Sequence, residues 1–107
     1  MRLVFRIRVA GHSMVPALAP GDRLLCVGGF RRRLCVPGAI VVAKAPVPEN
    51  LLVKRVSRVF PDGSFEVEGD NRDVSRDSRH FGPLAAPAYE GRVLCAYRPW
   101  PRSLWRS

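Results

Sequence analysis

The sequence predicts a mostly β domain with little helix, a β-sheet or partial barrel. Three observations carry that reading. Short apolar or alternating runs rich in Val, Leu and Ile recur at close intervals. Gly and Pro punctuate the gaps, with 9 glycines and 10 prolines in 107 residues. No stretch keeps a helical period over an ordinary helix length. At 47% apolar residues the chain can bury a core, so disorder is excluded, and residues 1–107 make one domain.

Residues 2–9 alternate, with Leu3, Phe5, Ile7 and Val9 on one face and Arg2, Val4, Arg6 and Arg8 on the other. That is a half-buried strand. "SMVPALAPGD" comes next as a turn or short helix, and "DRLLCV" as a second strand. "GGFRRRLCVPG" reads as a loop with an arginine cluster at 31–33, "AIVVAK" as a buried strand, and "APVPEN" as a proline loop. "LLVKRVSRVF" is a long strand that "PDG" turns into "SFEVEG", a hairpin by its turn chemistry. "DNRDVSRDSRHFGP" is a polar loop and "GRVLCAY" the last strand. The basic tail "RPWPRSLWRS" holds Trp100 and Trp105.

No run approaches the ~18 apolar residues of a membrane span. Arginines interrupt "MRLVFRIRVA", so it is no signal peptide. The expected setting is the cytoplasm. Three cysteines without a C-x-x-C pair, and only two histidines, exclude a zinc site. No metal or cofactor is expected. The net charge is +9, and of 18 basic residues only Lys44 and Lys54 are lysines. Arginine does not give up its proton in a protein, so an amine base has two side-chain candidates. The basic excess either attracts acidic protein, nucleic acid or anionic lipid, or forms a solvated surface.

Ser13 stands where a strand ends and the chain turns, in "GHSMVPAL", residues 11–18. A serine hydroxyl is a weak nucleophile until a base takes its proton. Gly11 frees the backbone there and Pro16 stiffens the far side of the turn. The turn can therefore present both the hydroxyl and the Ser13 N–H, an oxyanion donor. Lys54, in "LLVKRV", shares its strand face with Leu52 and Val56. Free lysine is neutral about once in 2,500 molecules at pH 7. Desolvation that lowers its pKa by about three units, roughly 4 kcal/mol, makes it a competent base. Lys44 ends its strand and runs into a proline loop, which makes it the weaker candidate. Residues 69–83, "GDNRDVSRDSRHFGP", offer an Asp77–Arg79 ion pair to pin the loop and a Ser75 hydroxyl to orient an amine.

"GHSMVPALAPGDRLL", "PGAIVVAK", "LLVKRV" and "EGDNRDVSRDSRHFGP", in this order, resemble the boxes of the type I signal peptidase family of serine–lysine proteases. The resemblance implies a signal-peptidase/LexA-like β-sheet catalytic domain. It makes Ser13 the nucleophile and Lys54 the general base. Ser75 would hydrogen-bond the lysine amine, and Asp77 and Arg79 would form a structural ion pair. Gly69, Asp70 and Asn71 would shape the loop beside the lysine, while Met14 and Pro16 would place the nucleophile turn and line the substrate groove. The sequence departs from the family pattern at Gly11, where many bacterial members carry a hydroxyl residue. No membrane anchor is expected before the nucleophile turn, and the Ser13–Lys54 span is short. This compact form is most similar to the nickel-type superoxide dismutase maturation proteases.

The expected function is a serine endopeptidase that removes an N-terminal extension from a precursor protein. The precursor would bind as an extended strand beside the groove edges near "AIVVAK" and the nucleophile turn. No nucleic acid is expected, and membrane contact is at most peripheral, through the Trp-rich tail. Four alternatives remain. One is a conventional signal peptidase that cleaves secretory signal peptides. A second is a Ser13–His80–Asp77 (or Asp73) triad. A third is a self-cleaving repressor type, which the twelve residues before Ser13 disfavour. The last is a catalytically idle basic β module that binds through "FRRRL" and the tail.

Overall fold

A computed structural model of the chain describes residues 3–29, 31–46 and 50–104. Its seven strands are β1 (Val4–Arg8), β2 (Arg23–Val27), β3 (Ile40–Lys44), β4 (Leu51–Val59), β5 (Phe65–Glu68), β6 (Tyr89–Arg98) and β7 (Arg102–Ser103). They form one antiparallel sheet in the order β1-β2-β6-β3-β4-β5, with β7 added beside β6. The sheet is not closed into a barrel.

The period of two places the strands. Phe5 and Ile7 pack inward from β1 while Val4, Arg6 and Arg8 face out. Leu3, expected on the inner face, precedes the strand and is exposed. β3 is buried on both faces, as its continuous apolar run implies. Ile40 and Val42 enter one core with Val9, Met14, Leu18, Leu24 and Val93. Val41 and Ala43 enter a second with Val56, Phe65, Val67 and Tyr89. The sheet thus buries opposite faces in its two halves.

This topology limits where a further strand can be added near β3. β3 pairs with β4 on one side and β6 on the other, so its ladder has no vacant edge for an added strand. One strand over, β4 is paired with β5 along part of its length. β5 begins its pairing with β4 at Arg55. Among the described residues, no strand flanks residues 51–53 of β4 on that side.

The β4–β5 hairpin turns through Gly63 at φ +88°, with Gly63 N–H donating to Phe60 O at 2.9 Å. Two expected loops each contain one helical turn: α1 (Arg31–Leu34) and α2 (Ser78–Phe81). A 3-10 turn, Ala86–Ala88, leads into β6. Arg2, residues 47–49 of the proline loop and Trp105 of the tail lie outside the described residues, as do the side chains of Arg31 and Arg32.

Candidate active site

Ser13 sits partly exposed on the turn between β1 and β2. The turn is closed by Val15 N–H to His12 O at 3.2 Å and Leu18 N–H to Met14 O at 2.9 Å. Met14 (1% exposed) and Leu18 (0%) sink into the first core and root it. Met14 is thus a core side chain at the base of the turn. Pro16, on a cis Val15–Pro16 bond, is exposed on the same turn. Asn71 clasps the segment from the far side: its N–H donates to Ser13 O at 2.8 Å and its Nδ2 to His12 O at 3.1 Å.

Lys54 is 5% exposed on β4, directly across from fully buried Val41 and two residues from Val56. Its Nζ donates to Ser75 Oγ at 3.0 Å, and that hydroxyl donates onward to Asp77 Oδ2 at 2.7 Å. Asp77 is fully buried and heavily subscribed. It accepts from Gly69 N–H at 2.9 Å and from Arg79 N–H at 3.1 Å. The Arg79 guanidinium grips both its oxygens, Nε to Oδ1 at 3.0 Å and Nη2 to Oδ2 at 3.0 Å. Asp77 also caps α2, while His80 Nδ1 accepts the Asp77 N–H at 3.4 Å. This capping box occupies the histidine of the Ser-His-Asp alternative.

Two opposed shifts result. Burial pushes the Lys54 amine below its ordinary value; the Asp77 charge works against this and the Arg79 charge works with it. Burial alone would raise the Asp77 carboxyl. The Arg79 guanidinium, the Gly69 N–H, the Ser75 hydroxyl and the Arg79 N–H outweigh it and hold the carboxyl well below the usual range.

Gly69 is where the two halves of the site meet. A Cβ there would collide with Ser75 Oγ and stand 2.6 Å from Ser13 O. The Ser13 backbone and the Lys54–Ser75–Asp77 chain thus press on one residue that must lack a side chain. Asp70 is held by Arg55 through two bonds, Nε to Oδ1 at 2.9 Å and Nη2 to Oδ2 at 2.8 Å, and Arg55 Nη1 reaches Gly38 O at 2.8 Å. Sequence reasoning missed Arg55. Lys44 stands exposed at the end of β3 and takes no part in this chain of bonds. Among the described residues, no three His, Cys, Asp or Glu side chains gather as metal ligands.

Comparison with known proteins adds an independent line. The family model described as signal peptidase, peptidase S26, matches residues 56–100. Mitochondrial ATP-independent inner membrane protease subunit 1b of Arabidopsis thaliana is 33% identical, over 92% of this chain and 72% of the relative. Subunit 1a of the same plant is 46% identical over the same shares. Signal peptidase IB of Staphylococcus aureus is 47% identical over 44% of this chain and 24% of its own.

Proposed function

Because the chain belongs to the signal peptidase family, peptidase S26, we propose that it is a serine endopeptidase in which Ser13 is the nucleophile and Lys54 the general base. The observation that carries this is the desolvated Lys54 amine, tied through Ser75 to an Asp77 carboxylate that Arg79 neutralises. A neutral amine has two N–H bonds and one lone pair. One N–H serves Ser75, and the lone pair is left to accept the Ser13 proton. Ser13 Oγ then attacks the scissile carbonyl, with the Ser13 N–H facing the developing oxyanion. Collapse expels the amine, which takes the proton from Lys54, and an acyl-enzyme remains. Water then loses a proton to Lys54 and attacks the acyl carbonyl, the bond to Ser13 Oγ breaks, and Lys54 returns the proton to that oxygen, which frees the acid and restores both residues.

Among the described residues no strand flanks residues 51–53 of β4, beside Lys54, which supports docking of the substrate as an extended strand there. The substrate class is a precursor protein with an N-terminal extension. The short Ser13–Lys54 span favours a nickel-type superoxide dismutase precursor. The names of the relatives favour a second reading, a conventional signal peptidase that cleaves signal peptides at a membrane.

Location divides the same way. The first reading expects the cytoplasm. Peripheral membrane contact has its own support: Arg8 pairs opposite Arg23, Arg23 opposite Arg98, and Trp100 beside them is 73% exposed. Among the described residues, no helix is long and apolar enough to cross a membrane. Wild type and Ser13→Ala incubated with each precursor, alongside salt-washed cell fractions, test both points. Equal cleavage by both proteins would end the proposal.

A further inference from the structure

The C-terminal segment reaches the nucleophile turn. Asp22, 3% exposed, closes the turn, and its Oδ2 accepts the Ala19 N–H at 2.9 Å. The same oxygen accepts Arg102 Nη2 at 2.6 Å, and that nitrogen also donates to Ala17 O at 3.1 Å. The pair therefore holds the residues on either side of Leu18, the apolar root of the turn. Leu104, two residues on, packs against that same core, and its N–H is fixed to Leu94 O at 2.8 Å. A strand of two residues, β7, adds little binding to a sheet edge. Its value lies in the side chain it delivers.

We propose that Arg102, through Asp22 and Ala17, clamps the turn that carries Ser13 and is a positioning residue for the nucleophile. The proposal rests on the reading of Ser13 as nucleophile. Asn71 holds the turn at His12 and Ser13, so Asn71 and the clamp grip it at its two ends. A charge-assisted bond to a buried carboxylate is short and directional, which suits it to fixing a backbone. A displacement near 1 Å at a reacting atom is worth about 10²-fold in rate. The guanidinium does two jobs at once, with one nitrogen bridging a carboxylate and a carbonyl while its partner reaches Trp100 O at 2.9 Å. A lysine reproduces the charge but not this fork.

The test compares wild type, Arg102→Gln, Arg102→Lys, Asp22→Asn and the double variant Asp22→Asn/Arg102→Gln. The rate is measured per active site, titrated with a fluorophosphonate that phosphonylates reactive serine and releases fluoride. A merely structural role lowers the titrated fraction and leaves the rate per site unchanged. Positioning lowers kcat per site, by about tenfold or more in Arg102→Gln, with partial recovery in Arg102→Lys and a double variant no worse than the worse single. The apparent pKa of the rate stays where it is, since Lys54 is held by other groups. Amide hydrogen exchange supplies a second readout: the Leu18, Gly21 and Asp22 amides should exchange faster in every clamp variant that folds, while those of β3 do not. Unchanged kcat per site in Arg102→Gln, or additive losses in the double variant, would overturn the proposal. If Arg102→Gln does not fold, unaltered turn amides and kcat in Arg102→Lys and Asp22→Asn overturn it equally. Full activity in Ser13→Ala would defeat the nucleophile reading instead, and the exchange data would still decide whether the clamp exists.

Discussion

Lys54 Nζ donates to Ser75 Oγ at 3.0 Å, and the hydroxyl it uses is committed in turn to the Asp77 carboxylate at 2.7 Å. The lysine therefore meets a neutral hydroxyl and not a carboxylate. A direct ion pair with Asp77 would hold the amine protonated. Arg79 takes up that negative charge, and Ser75 stands between. The arrangement orients the amine and leaves burial as the leading influence on its proton.

The rate should therefore rise with pH as Lys54 deprotonates, with an apparent pKa below the 10.5 of a free lysine. Lys54→Arg keeps the charge but not the ability to lose it, and should abolish turnover in a folded protein. Stability moves in the same direction. Between the folded pKa and 10.5 the unfolded chain binds more protons, so stability rises with pH across that window. Below 10.5 the desolvated amine costs stability, and Lys54→Met should raise Tm there. The gain should fade as pH climbs towards 10.5. Melting curves of both proteins across pH check it; a gain independent of pH would contradict the desolvated amine.

Arg79→Gln tests the neutralising role. The Arg79 charge lowers the Lys54 pKa and the Asp77 charge raises it. Removing Arg79 should move the pH–rate profile to higher pH, with activity at high pH largely recovered. A profile that falls in height without moving would assign Arg79 to loop structure alone.

Asp77→Ala removes an N-cap and orphans the Gly69 N–H, together roughly 2–4 kcal/mol before any account of the ion pair. A large fall in Tm should accompany the loss of rate. Ser75→Ala should slow turnover with a much smaller change in Tm, since Asp77 keeps Arg79 and Gly69. The carboxyl is depressed in the folded state, so its contribution is present above 3.8 and is lost as pH falls through the folded value. Asp77→Asn should accordingly flatten the acid limb of the stability curve.

Much of this was legible in the residues. The strands follow from alternation and from the Gly- and Pro-rich breaks, and the Lys54 face follows from a period of two. The paired state of β3 was legible as well, because a run apolar on both faces belongs inside a sheet and not at its edge. The two one-turn helices had no periodic signal, being too short for propensity to stabilise. α2 exists because Asp77 and His80 cap it. The Arg55–Asp70 pair hides in hairpin register: once Arg55 is opposite Glu68, Asp70 lies two residues on. The Asp22–Arg102 contact joins the two ends of the fold, and no local pattern announces it.

Gly69 gives the sharpest steric test. Its backbone is not in the left-handed region, so the demand for glycine comes from its neighbours alone. Ser75 Oγ and Ser13 O occupy the space a methyl would need, and Asn71 fixes that carbonyl from the same loop. Gly69 N–H also serves Asp77, so the loop cannot retreat without loosening the carboxylate. Gly69→Ala must therefore drive Ser13 and the lysine's support apart. We expect a loss of kcat of about 10²-fold or more, with KM for a peptide substrate changed far less and a lower Tm. Gly82→Ala is the control: its φ of +81° makes it strained, but open space surrounds the added methyl. That variant should lose stability while keeping its rate per titrated site. If Gly69→Ala behaved like Gly82→Ala, the contact between the nucleophile turn and the lysine loop would have no part in catalysis.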